Sequence, residues 1–211
     1  VLYQTLRLTG VSDAVAMPVS VGTSLAVILP TSISSARAHF AKGTVDVATL
    51  RAWAAPIVIG VLIGAAIARY APAALFKVVF MCICCFTAVR MIGGYTHWRL
   101  GKEQPRGALG WAYGGGVGLF SSLMGIGGGQ LVNLVMSLYG APIDVAVGTA
   151  AGVGALVAAP GALGFMLAGW GKEGLPPGCI GFVSLIGFAL IAPMATLAAP
   201  YGARLAHSWP K

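Results

Sequence analysis

Long stretches without a charged residue restrict the fold of this chain more than any other feature. About 20 consecutive apolar residues are enough to cross the hydrocarbon core of a bilayer. Only 9% of the residues are charged, against about 25% in a soluble domain, and the alternation of a membrane β-barrel is missing. The sequence therefore predicts an all-α, polytopic membrane protein. The uncharged stretches are Ala14–Ala36, Ala52–Ala68, Gly107–Ile143, Val145–Gly171 and Gly174–Ala203, and Lys77–Tyr95 is a further candidate span.

The formal net charge of +8 comes from basic residues that lie mostly between the predicted spans. A nucleic-acid-binding surface would interleave aromatic and basic side chains, and no such patch is present, so we expect no nucleic acid partner. In membrane proteins, an excess of Lys and Arg marks the cytoplasmic loops. We therefore expect the loops Arg37–Arg51 and Arg90–Arg106 to face the cytoplasm. The basic residues between spans are Arg37, Lys42, Arg51, Arg99, Lys102 and Arg106.

Two passages of the chain occur twice in similar form. Val19–Ser24 (VSVGTS) matches Val145–Ala150 (VAVGTA), and Gly64–Pro72 matches Gly202–Pro210 without a gap. Internal repeats are a frequent plan of transporters. The matches predict two copies of one helical unit.

The two copies set the expected domain boundaries. We predict a first repeat over residues 1–99, a basic loop over 100–107 and a second repeat over 108–211. The first copy lacks most of its broken helix and the second lacks its last helix. We therefore expect the natural protein to extend by about one helix at each end.

A block of glycines interrupts the third uncharged stretch, in the sequence SSLMGIGGGQL at residues 121–131. Glycine is a poor helix former, so this block predicts a broken helix. A break inside a membrane frees backbone N–H groups, and the N-terminus of the second half-helix attracts anions. Helical spacing places Gln130, Asn133 and Ser137 on one face of that half-helix. The predicted anion contacts are Gly125, Gly127, Gly128, Gly129, Gln130 and Asn133.

Two questions about this block stay open at the level of sequence. The spacings Gly114–Gly118 and Gly125–Gly129 also suit close helix packing, so the glycines could serve packing alone. The broken span could cross the membrane once with a kink, which makes the two repeats parallel, or turn back as a re-entrant hairpin, which makes them inverted. No catalytic, metal-binding or nucleotide-binding pattern is present, so we expect no enzyme, cofactor or metal.

Residues 118–152, GLFSSLMGIGGGQLVNLVMSLYGAPIDVAVGTAAG, resemble the signature of the TauE/SafE family of sulfite exporters. Residues 14–46 and 58–95 are similar to the family's second helix and to its third and fourth helices. The resemblance implies duplicated four-helix halves and transport of sulfite, an organosulfonate or a related oxyanion. The second copy departs from the family pattern in having Ala150 and Ala151 after Thr149.

We predict a secondary transporter of a small anion in the bacterial inner (cytoplasmic) membrane, embedded in the lipid bilayer by several spans. The alternative is a non-transporting membrane subunit or receptor, and a homodimer is one assembly that the sequence leaves open. Hydroxyls of the Val-Gly-Thr helices could contact substrate, or could bond to a carbonyl of their own helix. The candidate substrate contacts on these helices are Gly22, Thr23, Ser24, Gly148 and Thr149.

Overall fold

The computed structural model describes residues 1–92, 101 and 104–208, and this part of the chain is mainly helical. Three helices, α2, α3 and α7, are long and apolar enough to cross a membrane, which confirms the predicted all-α membrane fold. Arg99 and Lys102 of the predicted basic loop, Pro210, and the side chains of 199–208 lie outside the described residues. The helices are α1 (Leu2–Leu8), α2 (Asp13–Ala41), α3 (Val47–Tyr70), α4 (Ala73–Ile92), α5 (Gly107–Met124), α6 (Gly129–Leu138), α7 (Ile143–Ala168) and α8 (Leu185–Ser208), and the strands are β1 (Cys179–Ile180) and β2 (Val183–Ser184).

The long helices expose apolar side chains on their outer faces. On α3, Ile63 is 51% exposed, and on α7, Leu167 is 69% exposed. The inner faces of the same helices pack against the rest of the bundle, since Ile57 and Val157 are fully buried. Apolar surface of this extent suits contact with lipid rather than water.

The two Val-Gly-Thr helices, α2 and α7, cross the bundle in opposite directions. Gly22, in the first third of α2, faces Phe165 near the end of α7, whereas Ser32, farther along α2, faces Gly154. Contacts that move backwards along one helix as they move forwards along the other define an antiparallel pair. The helices that match each other in sequence therefore run oppositely through the membrane.

Helix α3 lies parallel to α7. Leu50 near the start of α3 packs against Gly152. Near the end of α3, the Arg69 guanidinium donates a hydrogen bond to the carbonyl of Ala168 at 2.8 Å. The two helices therefore start at the same end of the bundle.

Helix α5 also runs parallel to α3, and small residues bring the two backbones close together. Pro56 packs against Gly114, and Gly64 packs against Ser122 about two turns later on both helices. A Cβ at Gly118 would clash with the backbone of α3. The predicted packing role is thus confirmed for Gly114 and Gly118.

Helices α5 and α6 form a hairpin that returns to the end from which it started. Gln104, just before α5, donates a side-chain hydrogen bond to the carbonyl of Met136 near the end of α6, at 3.4 Å. The Tyr139 hydroxyl donates to the Tyr113 hydroxyl at 3.2 Å, on the first half of α5. The structure thus has the re-entrant hairpin, the alternative in which the two repeats are inverted.

The predicted span Gly174–Ala203 is wrong in its first third. Only from Leu185 onwards is this stretch helical, and the residues before it form turns and the antiparallel pair β1–β2. Gly174, Gly178 and Gly181 all have positive φ, which a helix does not allow. Absence of charge alone could not distinguish this turn-rich segment from a membrane span.

Candidate functional site

The broken helix predicted at the glycine block is present. Helix α5 ends at Met124 and α6 begins at Gly129. Between them, Gly125, Gly127 and Gly128 have φ values of 68°, 71° and 80°. Side chains are disfavoured in this left-handed region, so the turn requires glycine at these positions. We call residues 125–128 the glycine turn.

The glycine turn lies at mid-length between α2 and α7. An ideal Cβ on Gly127 would be 2.7 Å from Cγ2 of Ile28, near the centre of α2. The same construction on Gly128 reaches Val153 and Val157 of α7 at 3.2–3.3 Å. The two helices thus enclose the turn near the middle of the bundle, where lipid cannot reach its backbone.

Five consecutive backbone N–H groups at the start of α6 have no hydrogen-bond acceptor among the described residues. They are those of residues 127–131, and the first N–H with a backbone partner is that of Val132, which bonds to the carbonyl of Gly128. Unpaired N–H groups and the helix dipole give this end of α6 a partial positive charge. Since Gly127 and Gly128 are buried, the donors lie in surroundings of low polarity.

Two buried polar side-chain atoms near the glycine turn also lack a partner within the described part of the chain. These are Oγ of Ser121 and Oδ1 of Asn133. Oγ of Ser121 is 3.4 Å from the Cβ position of Gly128, so it lies beside the free N–H groups. Sequence reasoning missed Ser121, although its place four residues before Gly125 puts it on the helix face that meets the turn.

A narrow crevice borders this end of α6. It contains about 160 Å³ of empty space but is too narrow to admit a water molecule. Ser121, Gly128 and Gln130 line it together with apolar side chains, and no charged residue is among the described residues of its wall. The arrangement can attract an oxyanion, which fits only after the crevice widens.

Ser24 connects the glycine turn to a second, wider pocket. Its hydroxyl donates a hydrogen bond to the carbonyl of Gly125 at 2.7 Å, and this bond fixes the first residue of the turn against α2. Ser24 and Ile28 also line a pocket of about 350 Å³ between α1, α2 and α8. Thr23 lines the same pocket. The structure thus brings the predicted residues Thr23 and Ser24 to one pocket that adjoins the turn.

The hydroxyls of Thr23 and Thr149 both join the two predicted repeats. Thr23 accepts a hydrogen bond from the N–H of Ser184 at 2.9 Å, and Thr149 accepts one from the N–H of Asp46, also at 2.9 Å. The Thr23 hydroxyl also donates to the carbonyl of Val19, the intrahelical bond weighed from the sequence. Inter-repeat bonds therefore occupy both hydroxyls.

Gly22 and Gly148 allow the same loops to approach. A Cβ at Gly22 would clash with the carbonyl oxygen of Phe182, and one at Gly148 with the carbonyl oxygen of Thr44. Each glycine directly precedes the threonine of its helix and packs against the loop that follows the other Val-Gly-Thr helix. The structure thus places Gly22, Gly148 and Thr149 against loops rather than in the crevice beside the glycine turn.

Asp46 caps α3 at one of these junctions. Thr49 donates its N–H to Oδ1 of Asp46 at 3.0 Å and its hydroxyl to Oδ2 at 2.6 Å. Burial alone raises the pKa of the Asp46 carboxyl, but the hydrogen bonds from Thr49 and from the N–H of Ala48 outweigh it and hold the pKa below its ordinary value. Asp46 is therefore an ionised structural cap.

No group of three or more His, Cys, Asp or Glu side chains that could hold a metal ion occurs among the described residues. The glycine turn thus has backbone amides, a hydroxyl and side-chain amides as its polar groups. Such groups bind by hydrogen bonding and by the field of the helix dipole.

Comparison with known proteins extends over both predicted repeats. The profile of the family described as "Sulfite exporter TauE/SafE" matches residues 5–211. A protein of Haemophilus influenzae named "Probable membrane transporter protein" is 26% identical over 184 residues, which is 87% of this chain and 70% of that relative. No solved structure matches the chain significantly. The family match includes the glycine turn and both Val-Gly-Thr helices.

Proposed function

Because the chain belongs to the TauE/SafE family of membrane transporters, we propose that it moves a small anion, sulfite or an organosulfonate, across the cytoplasmic membrane. Transport itself follows from the family, whose members are not enzymes. The choice of substrate rests on the glycine turn and on the chemistry of the groups around it.

The run of free N–H groups from residue 127 to residue 131 carries the proposal. An oxyanion has several acceptor oxygens around one centre, and consecutive N–H groups at a helix start can bond to more than one of them. No charged residue of the described chain lines the crevice, so a bound anion meets dipoles rather than a fixed cation. Neutral donors bind an anion without trapping it, which transport requires.

We assign roles to the predicted residues as follows. The backbone of Gly127, Gly128 and Gly129 binds the anion, and the side chains of Gln130 and Asn133 complete the site. Ser121, whose buried hydroxyl has no partner in the described chain, joins them. Ser24 fixes the turn through Gly125. The remaining candidates, Gly22, Thr23, Gly148 and Thr149, hold the two repeats together.

Access to the site requires movement, because the crevice does not admit a water molecule. The α5–α6 hairpin lies between α2 and α7, one from each repeat. Since the hairpin belongs to the same predicted repeat as α7, rocking of one repeat against the other changes the wall that α2 forms beside the glycine turn. Such movement around a site near mid-membrane is the general mechanism of transporters with inverted repeats.

The basic loops indicate the orientation. Arg51 and Arg106 belong to the same end of the bundle, because the Trp53 indole N–H donates to the carbonyl of Pro105 at 3.2 Å. The basic segment 93–103 leads to this end in sequence. We therefore place this end in the cytoplasm.

Proteoliposomes that contain the purified protein test the proposal. We expect sulfite or a small organosulfonate to be taken up, and excess unlabelled substrate to compete with the labelled one. The same anions should raise the unfolding temperature, because a ligand stabilises the state that binds it. Failure of a panel of sulfur oxyanions in both assays would contradict the substrate class.

A further inference from the structure

A second feature, a groove on the outside of the bundle, is separate from the glycine turn. It has a volume of about 510 Å³ and lies between the second half of α2, the start of α3 and the middle of α7. Ile33, Phe40, Leu50 and Leu156 are among its apolar walls. Ile33 and Phe40 are 37% and 48% exposed, so the groove opens outwards. We call it the arginine groove, after the two residues described next.

Arg37 and Arg51 line one end of the arginine groove and are its charged residues. Both side chains are exposed, and neither has a hydrogen bond or ion pair with any described residue. Arg37 lies one turn before the end of α2, and Arg51 lies in the second turn of α3. Both therefore belong to the level of the bundle where a membrane interface is expected.

The groove has about the length of one leaflet. Its wall on α2 extends from Leu29 to Phe40, which corresponds to about 16 Å at 1.5 Å per residue, and Arg37 lies about one turn before the Phe40 end of this wall. Half of the hydrocarbon core of a bilayer measures about 15 Å. The small residues Gly152, Ala155 and Ala159 of α7 form the bottom of the groove and leave room for a lipid acyl chain to lie along it.

We propose that the arginine groove binds one anionic phospholipid, with an acyl chain along the apolar wall and the phosphate between Arg37 and Arg51. A free, hydrated oxyanion would gain nothing from the apolar wall, whereas an acyl chain gains close packing there. A zwitterionic lipid also has a phosphate, but its headgroup cation offsets that charge, so it would leave the positive charge of the two arginines uncompensated. Basic pockets between membrane helices on the cytoplasmic side bind anionic headgroups by this combination.

Lipid binding to the purified protein tests this assignment. Native mass spectrometry and thermal unfolding compare phosphatidylglycerol with phosphatidylcholine of the same acyl chains. We expect one retained phosphatidylglycerol, and about a thirtyfold loss of its affinity in the double variant Arg37→Gln/Arg51→Gln. The variant Arg7→Gln/Lys42→Gln removes two cations outside the groove and should bind as the original protein does. Ala155→Trp fills the bottom of the groove and should weaken binding while both arginines remain.

Four results would overturn the proposal. One is equal affinity for the two lipids, and another is an equal loss in the two double variants. The third is displacement of the lipid by inorganic phosphate at millimolar concentration, which would assign the arginines to a free anion. Cross-links between groove residues of two copies would likewise assign the groove to a second copy of the chain.

Discussion

Ser184 donates its backbone N–H to the hydroxyl oxygen of Thr23 at 2.9 Å, and this bond joins the start of α8 to α2. Asp46 makes the corresponding bond to Thr149 at the opposite end of the bundle. Asp46 and Ser184 each also accept a hydrogen bond from the N–H three residues later, so each caps the helix that follows. The same arrangement thus occurs twice: the residue that caps a helix of one predicted repeat donates its N–H to the threonine of the other. This reciprocity is what the predicted duplication would produce.

Replacing Thr23 or Thr149 with valine should destabilise the protein without removing a substrate contact. The isosteric change leaves the buried N–H of Ser184, or the half-buried N–H of Asp46, without an acceptor. An unsatisfied buried group costs about 1–3 kcal/mol. Thermal unfolding in detergent measures the loss, and the KM for the transported anion should stay unchanged.

Thr196→Val is the matched control for these two variants. Within the described part of the chain, the Thr196 hydroxyl bonds only to the carbonyl of Ala192, in its own helix. Its removal should have little effect on the unfolding temperature. If Thr23→Val raised KM and left stability intact, Thr23 would instead be a substrate contact.

Gly128→Leu should abolish transport while membrane insertion continues. Gly128 has a φ of 80°, and its Cβ position lies 3.2–3.4 Å from Val157, Val153 and Oγ of Ser121. A leucine there is strained and fills the space beside the free N–H groups. The uptake rate should therefore fall below about a tenth of that of the original protein. Uptake by proteoliposomes and the amount of protein in membranes measure the two effects separately.

Gly116→Leu is the control for the glycine turn. Gly116 lies in the helical part of α5 and has no heavy atom within 4 Å of its Cβ position. A side chain there should be tolerated in both assays. Normal transport by Gly128→Leu would exclude the glycine turn as the anion site.

The position of the break could be predicted from the sequence because its cause is local. Glycine is a poor helix former, and the structure has its turn at residues 125–128 within the block Gly125–Gly129. The run Gly114–Gly116 stays helical, in the part of α5 that packs against α3. The spans α2, α3 and α7 could be predicted for a similar reason, since exclusion of charge follows directly from the cost of placing it in lipid.

The hairpin and the partners of the threonines could not be predicted, because they depend on contacts between distant residues. The direction of α6 is seen from the hydrogen bond between Gln104 and the carbonyl of Met136. The sequence pattern gives no sign that these two residues are in contact. The bond from Ser184 to Thr23 spans 161 positions and starts in a segment that the absence of charge predicts as a membrane span. Ser121 could not be identified from the sequence, because its hydroxyl is buried without a partner only once the glycine turn packs against it.

Ser121→Ala should weaken anion binding without destabilising the fold. The buried Oγ of Ser121 has no partner among the described residues, so its removal breaks no hydrogen bond and relieves an unsatisfied group. If the hydroxyl donates to a bound anion, its loss should raise KM about tenfold. Initial uptake rates over a range of substrate concentrations measure this change.

Asn133→Leu should also raise the KM for the anion, because Oδ1 of Asn133 is likewise unpaired in the described chain. Ser122→Ala serves as the control for both variants. The Ser122 hydroxyl donates to the carbonyl of Leu119 and packs against α3, away from the crevice. A KM that rises only in Ser122→Ala would contradict the proposed roles.

The stability contributed by the charge of Asp46 should disappear in acid. Hydrogen bonds from Thr49 and Ala48 overcome the effect of burial and hold the pKa of Asp46 below 3.8 in the folded protein. A lowered folded pKa means that the carboxylate stabilises the fold above the unfolded pKa, and that this stabilisation is lost as the pH falls through the folded value.

Asp46→Asn isolates this charge, because asparagine can still accept the hydrogen bond from the N–H of Thr49. The difference in unfolding temperature between the original protein and this variant should be constant above about pH 5 and should shrink below about pH 4. Glu173→Gln, at an exposed position of the α7–β1 loop, is the control variant for removal of one carboxylate. A difference that persists unchanged to low pH would mean that Asp46 stabilises α3 by its shape and hydrogen bonds alone, since a protonated carboxyl and an amide cap a helix similarly.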